Sequence, residues 1–204
     1  IELDLRLNDR IVDLVAERVD VALRVGPIRQ AGLAARRVSQ VNIVTCAAPA
    51  YLQDHGEPKT PDELREHKLV GLTSPSGAPP EWTFPPPYTP KRLGLKFSML
   101  FNSAEAPIIA ATAGLGIAHT GDLLVAEYVG RGELKLILED FVMPGPPISL
   151  VYPSAGHQLA KVRVFSDFAA DLLLRWNEVV RRWIKQPSRP PNPVAAASSA
   201  PLVR

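Results

Sequence analysis

The chain is nearly without cysteine. Cys46 is the single thiol among 204 residues, and it sits inside the apolar run Val41 to Ala48. A disulfide framework within the chain is therefore excluded, which suits a reducing compartment. No His or Lys lies near Cys46 in sequence to lower its pKa, so it reads as a small buried hydrophobe rather than a reactive thiol. Long apolar runs are missing as well: none approaches the roughly 20 residues that a membrane-spanning helix needs. Charge of one sign is not in excess either. The 23 Lys and Arg meet 21 Asp and Glu, a net charge of +2, which is too balanced for the clustered cationic face that binds a polyanion.

Signatures of catalysis are also lacking. The four histidines, at 55, 67, 119 and 157, show no metal-ligand spacing. There is no Gly-x-Ser-x-Gly elbow and no Walker loop. Gly114-Leu115-Gly116 closes a helical pattern instead of opening one, the wrong context for a dinucleotide fingerprint. No pairing suggests a positioned acid, base or nucleophile. The expectation is a protein that is not an enzyme and carries no cofactor or metal.

What remains is a globular composition, 46% hydrophobic and 22% charged, long enough for one mid-sized domain or two small lobes. The chain opens on Ile1 already inside a strand pattern and is read as a piece of a longer protein. Ile1 to Leu7 alternates apolar and polar, a half-buried strand. Asn8 and Asp9 supply an N-cap for a helix carrying Ile11, Val12, Leu14, Val15 and Val19. Asp20 to Val25 is a second strand, stopped by Gly26-Pro27. Strand, helix, strand over so short a stretch predicts a βαβ unit with a parallel sheet.

Leu33 to Val38 and Val41 to Ala48 read as two further strands. Pro49 to His67 reads as two short helical turns broken by Gly56-Glu57-Pro58. Strands follow at Lys68 to Thr73 and Leu93 to Phe101, separated by a Pro-rich loop that carries Trp82, Phe84 and Tyr88. Asn102-Ser103 is expected to cap an Ala-rich helix running to about Ala113. Gly114 to Thr120 is a turn feeding a strand, Asp122 to Tyr128 a helix, Glu133 to Leu138 and Ile148 to Tyr152 strands. From about Leu159 the stripe Val162, Phe165, Phe168, Ala169, Leu172, Leu173, Trp176, Val180 and Trp183 predicts one long helix. Residues 186–204 are Pro-, Ala- and Ser-rich and are expected to be disordered.

These elements predict an α/β fold of two lobes with mixed sheets. Lobe I takes residues 1–45 plus 148–185, the connector and lobe II take 46–147, and crossings near Thr45 to Ala48 and Leu150 to Ser154 leave a cleft. Ligands of open α/β sheets sit beyond the carboxyl ends of the strands, often on helix N-termini.

Four blocks, in order, resemble the effector-binding domain of LysR-type transcriptional regulators. They are Asp13 to Val15 with Asp20 to Pro27; Ala48 to His67; Asn102 to Ala106 with Gly114 to Ala118; and Val151-Tyr152-Pro153 with Lys161 to Arg163 and Phe168. The Pro49 to His67 connector carries most of the resemblance, which covers about Ile1 to Leu174. It implies a periplasmic-binding-protein-like sensor with two hinge crossings, a small-molecule effector, a homodimer or tetramer, and DNA contact only through an N-terminal helix-turn-helix domain absent from this chain. It also implies a cytoplasmic protein with no membrane partner. A solute-binding protein of a transporter, which shares the fold, is the alternative.

The candidate effector-binding residues are Arg24, Gly26, Pro27, Asn102, Ser103, His119 and Thr120. Arg24 ends a strand, where its fork can clamp a carboxylate; a structural ion pair is the other reading. Gly26-Pro27 turns the backbone at the cleft rim. Asn102 and Ser103 open a helix whose N–H groups can seat an anion, or simply cap it. His119-Thr120-Gly121 stands where the family usually has two apolar residues and a proline, which suggests effector specificity; a partly exposed loop histidine is the competing reading. Trp82, Phe84 and Tyr88 form either an apolar lid or packing against their own lobe, and Tyr51 reads as core.

Overall fold

The structure, a computed structural model, describes residues 2–7, 11–28, 30–74, 76–156 and 159–185. Its strands are β1 (Ala22–Val25), β2 (Leu33–Ala47), β3 (Leu69–Leu72), β4 (Met99–Phe101), β5 (Ile117–Gly121), β6 (Lys135–Ile137) and β7 (Met143–Pro153). Its helices are α1 (Pro49–His55), α2 (Pro90–Leu93), α3 (Ala106–Thr112), α4 (Asp122–Gly130) and α5 (Ala160–Lys185). The sheet runs in the order β1-β7-β2-β5-β3-β4, with β6 also on β2.

β2 is the spine of this sheet. Its first part pairs antiparallel with β7, from Leu33 opposite Pro153 to Ile43 opposite Met143. Its last part turns to β5, from Ile43 opposite Gly121 to Cys46 opposite Ala118, and to β6. One 15-residue strand thus replaces the two that were expected at 33–38 and 41–48. The polar stretch between them did not end the strand, because register shifts between Arg37 and Ser39 and between Gln40 and Asn42 absorb the irregularity as bulges. β2 passes from β7 to β5 and β6 from Ile43 onward, just past this bulged region. The segments expected to make the crossings, at Thr45 to Ala48 and Leu150 to Ser154, carry residues that are paired within the sheet.

The first 27 residues depart most from expectation. Residues 2–7 form no strand, and Leu3, Leu5 and Leu7 stand exposed. The parallel βαβ unit is not formed: β1 pairs antiparallel with β7, and among the described residues no strand precedes it. Alternation shows which face of a strand would be buried, but a strand forms only where a partner supplies the ladder. The expected helix shrinks to a single turn. Val15 and Ala16 donate their N–H groups to Asp13 Oδ1. Val19 N–H then closes onto Leu14 O at 2.8 Å and Arg18 N–H onto Val15 O at 3.3 Å. That pair of bonds is a Schellman closure with Arg18 at its left-handed position, φ +53°. The Asn8-Asp9 cap lies outside the described residues, as do Ile1, His157 and residues 186–204.

The connector follows its sequence closely. Pro49 starts α1, where its missing N–H is harmless. Gly56, at φ +82°, ends it. Pro61–Glu66 is a 3-10 turn entered through Glu63, whose carboxylate accepts from Lys59 N–H at 2.9 Å and Thr60 Oγ1–H at 3.0 Å. Tyr51 is buried, and its hydroxyl accepts from Lys68 N–H at 2.9 Å, joining α1 to the start of β3.

Strand alternation splits the core in two. Ala47, Leu69 and Ile117 face the connector and the aromatic loop, together with Tyr51, Leu64, Trp82, Phe84 and Leu93. Their sequence neighbours Cys46, Val70 and Ala118 face α3 and α4, with Ile108, Val125 and Val129. A sheet covered on both faces reads as near-continuous apolar strands, which is why β2 is polar at its start and buried at its end. Burial raises the Cys46 thiol to about 12, so it stays protonated and inert. The far half of α5 lies on α4, with Val180 and Trp183 against Ala126.

Candidate functional site

β3 pairs in parallel with both β4 and β5, so the carboxyl ends of all three open on one edge. That edge carries Thr73 after β3, Asn102 and Ser103 after β4, and Thr120 at the end of β5. Thr73 is fixed there: its N–H and its Oγ1–H both donate to Phe101 O, at 2.7 and 3.1 Å. The sequence reading missed Thr73, although its place directly after an apolar strand carried the same signal that picked out Asn102.

Asn102 is exposed and Ser103 half-buried, but neither caps α3. The helix begins three residues later than expected, at Ala106, with Glu105 as its flanking residue. Pro107 sets that start, since its ring suits the first turn of a helix and no later position. Asn102 and Ser103 therefore offer side chains and loop backbone rather than the end of a helix.

His119 does not face this edge. Two residues after the buried Ile117, its ring shares the aromatic face of the sheet, with centroids 4.7 Å from Phe84 and 5.1 Å from Trp82. Nδ1 bonds Thr45 Oγ1 at 2.9 Å. Nε2 is shut off from solvent and, among the described residues, has no hydrogen-bond partner. Desolvation lowers the ring's pKa to about 4, outweighing the opposite pull of the Thr83 backbone. His119 is thus a neutral imidazole held in an apolar layer. The reading of Trp82 and Phe84 as packing, not lid, fits their burial. Tyr88 stands edge-on to Phe141 at 5.4 Å.

At the other end of the group, Arg24 is engaged at home. Its Nη2–H donates to Val12 O at 2.5 Å, and Nη1–H to Gln30 Oε1 at 3.4 Å, so its role here is structural but its partners are a carbonyl and an amide, not the acid of the expected ion pair. Gly26 is buried at φ +113°, and its N–H donates to Pro147 O at 2.9 Å. Pro27 beside it is exposed. Pro147 pairs with Gln40 and Thr120 with Val44. Gly26 and Thr120 thus flank the β2–β7 passage at positions separated along β2 by roughly 13 Å, at about 3.3 Å per residue. Asp122, buried beside Thr120, pins that passage: Oδ1 accepts Asn42 N–H at 3.1 Å and Oδ2 accepts Asn42 Nδ2–H at 2.8 Å. A measurable concavity lies elsewhere, between the 13–19 turn and the start of α5.

The sequence matches the family described as the LysR substrate binding domain over residues 1–174. The chain belongs to that family. An uncharacterized HTH-type transcriptional regulator of Escherichia coli K12, YhjC, is 31% identical over 184 residues, covering 85% of this chain and 58% of that protein. CrgA of Neisseria meningitidis serogroup C is 31% identical over 176 residues, covering 85% and 58%. The chain spans little more than half the length of these relatives. The CrgA regulatory domain of N. meningitidis superposes with a TM-score of 0.70 at 28% identity, covering 78% of each chain. The regulatory domain of AphB from Vibrio vulnificus gives 0.60 at 26% identity, covering 84% and 83%. The fold is the periplasmic-binding-protein-like fold of LysR regulatory domains, and the family is one of transcription-regulator domains, not of enzymes.

Proposed function

We propose that this LysR domain senses a small anionic or aromatic molecule in a cleft between two lobes. The lobes are residues 1–45 with 148–185 and residues 46–147. The supporting observation is the shared polar edge. Three parallel strands end together at Thr73, Asn102-Ser103 and Thr120, and Gly26-Pro27 stands across the bulged β2–β7 passage. Ligands of such sheets lie beyond these strand ends, and a passage made by only two strands is where the halves can change their relative pose. In this reading Ser103 and Thr120 hydrogen-bond the effector, Gly26-Pro27 and Asn102 rim the site, and His119 sets specificity from beneath by holding Thr45, Trp82 and Phe84 in place. Arg24 fixes the 12–30 loops beside it.

The whole protein, in the same proposal, is a cytoplasmic regulator that assembles as a homodimer or tetramer and reaches DNA through a separate N-terminal domain. The exposed Leu3, Leu5 and Leu7, and Ile109 on α3, suit an antiparallel dimer in which these two segments meet.

A thermal-shift screen with a panel of small carboxylates and aromatic acids tests the site. An effector at 100 times its dissociation constant adds about 2.7 kcal/mol. Ser103→Ala and Thr120→Val should each reduce that gain without lowering the unliganded midpoint. If both variants respond as strongly as the parent, the site lies elsewhere.

A further inference from the structure

Where the 13–19 turn meets the first turn of α5, the surface sinks into a concavity of about 390 Å³. Buried Leu14 and Val162 make its floor, while Val15 and Leu159 stand exposed at its sides. Arg18 and Lys161 bring two positive charges to it and Asp20 one negative. Lys161 and Asp20 hold each other, Nζ donating to Oδ2 at 2.7 Å. Arg18 is left over: among the described residues its guanidinium has no hydrogen bond or ion pair. Its backbone also occupies the left-handed position of the Schellman closure, φ +53°, where glycine is the residue of least strain. A strained non-glycine residue that presents an unpaired charge beside an apolar hollow is the pattern of a ligand clamp.

We propose that this concavity is a second small-molecule site, taking an amphiphilic anion, a carboxylate on a short hydrocarbon body, with Arg18 as its charge partner. The volume lies within the range of small-ligand pockets. The surplus positive charge disfavours a metal cation, and a bare inorganic anion would leave the apolar walls unused. Hydrocarbon contact supplies most of the affinity, and Arg18, being exposed, selects the head group. The site is independent of the cleft reading, since it shares no residue with it.

The test titrates the isotopically labelled 204-residue chain with sodium octanoate, followed by amide NMR, with n-octanol as the uncharged match. Octanoate should shift the Val15, Arg18, Leu159 and Val162 amides saturably, and octanol should bind at least fivefold more weakly. Arg18→Gly should weaken octanoate by a similar factor while its unfolding midpoint stays level or rises, because glycine relieves the left-handed strain. Arg18→Gln keeps the backbone demand and removes only the charge, so it must weaken octanoate equally. Shifts that never saturate, or that gather around Ser103 and Thr120, overturn the proposal. So does octanoate binding of parental strength in both variants, or octanol binding as tightly as octanoate.

Discussion

Residues 45–141 and residues 2–28 have similar apolar patterns and opposite outcomes. In the first, the inner strands bury Leu69, Val70, Ile117, Leu136 and Ile137 and the connector buries Leu64, while Leu72 at the end of β3 and Met99 and Leu100 on β4 stand exposed. In the second, Leu5 is 73% exposed and Leu7 94%, although their alternation is as regular as any in the chain. The difference is partnership. β5 pairs with both β2 and β3, so the apolar side chains of these inner strands have a layer to enter. Residues 2–7 have no strand beside them among the described residues, and a pattern without a ladder fixes nothing.

The largest effect should come from removing side chains in the partnered region. Leu64→Ala deletes a fully buried side chain wedged between the connector and the sheet and should destabilise by about 2–5 kcal/mol. Leu5→Ala should change stability by no more than about 0.5 kcal/mol. Urea unfolding of the two variants and the parent measures both. Equal losses would mean that residues 2–7 are packed in solution and that the contrast between the regions is false.

The second effect sharpens the contrast with one half-buried imidazole whose Nε2 is sealed from solvent. His119 stays neutral in the folded chain down to about pH 4, while an unfolded chain takes up the proton near its ordinary value of 6.5. Between those values the unfolded state binds more protons, so stability is complete above pH 6.5 and drains away as the pH falls. The slope approaches about 1.4 kcal/mol per pH unit, near 3 kcal/mol in all by pH 4. His67, whose pKa is also lowered by burial, adds in the same direction. Glu57 and Glu63 have lowered values too, but their losses begin only near the carboxylate range, below most of this window. Denaturation midpoints from pH 7 to 4.5 should therefore fall for the parent and fall less for His119→Gln. An unchanged slope in the variant would show that the ring is hydrated and lies outside the apolar layer.

Legibility in the sequence followed the same division. The connector was readable because its signals are local: Pro49 and Pro61 start turns and Gly56 stops one. β3, β5, α4 and α5 were readable for the same reason. β2 was read as two strands because Ser39 and Gln40 look like a break, and only tertiary pairing with β7 shows them to be bulged strand. In the candidate site, the place of Asn102-Ser103 after a strand was legible, whereas the helix start was misplaced because Pro107 was not weighed against the serine. The direction of His119 was legible in principle. Counting by twos from Ile117 puts it on the aromatic face, but a polar residue near a strand end invites the opposite assumption.

The smallest effect probes what order the unpartnered region has. Its organiser is Asp13, whose carboxylate takes the Val15 and Ala16 N–H groups at 3.0 and 3.1 Å. The turn it holds buries only Leu14 completely. Asp13→Ala removes the cap and should lower global stability by about 1 kcal/mol or less. Its local consequence should be larger than its global one. Because Val19 N–H and Arg18 N–H close the turn on themselves rather than on the sheet, opening it need not open the core. Amide exchange at Arg18 and Val19 should accelerate in the variant while exchange at Val70 and Ala118 keeps the parental rate. If all four accelerate together, the turn and the sheet are one cooperative unit, and the two regions differ in exposure but not in stability.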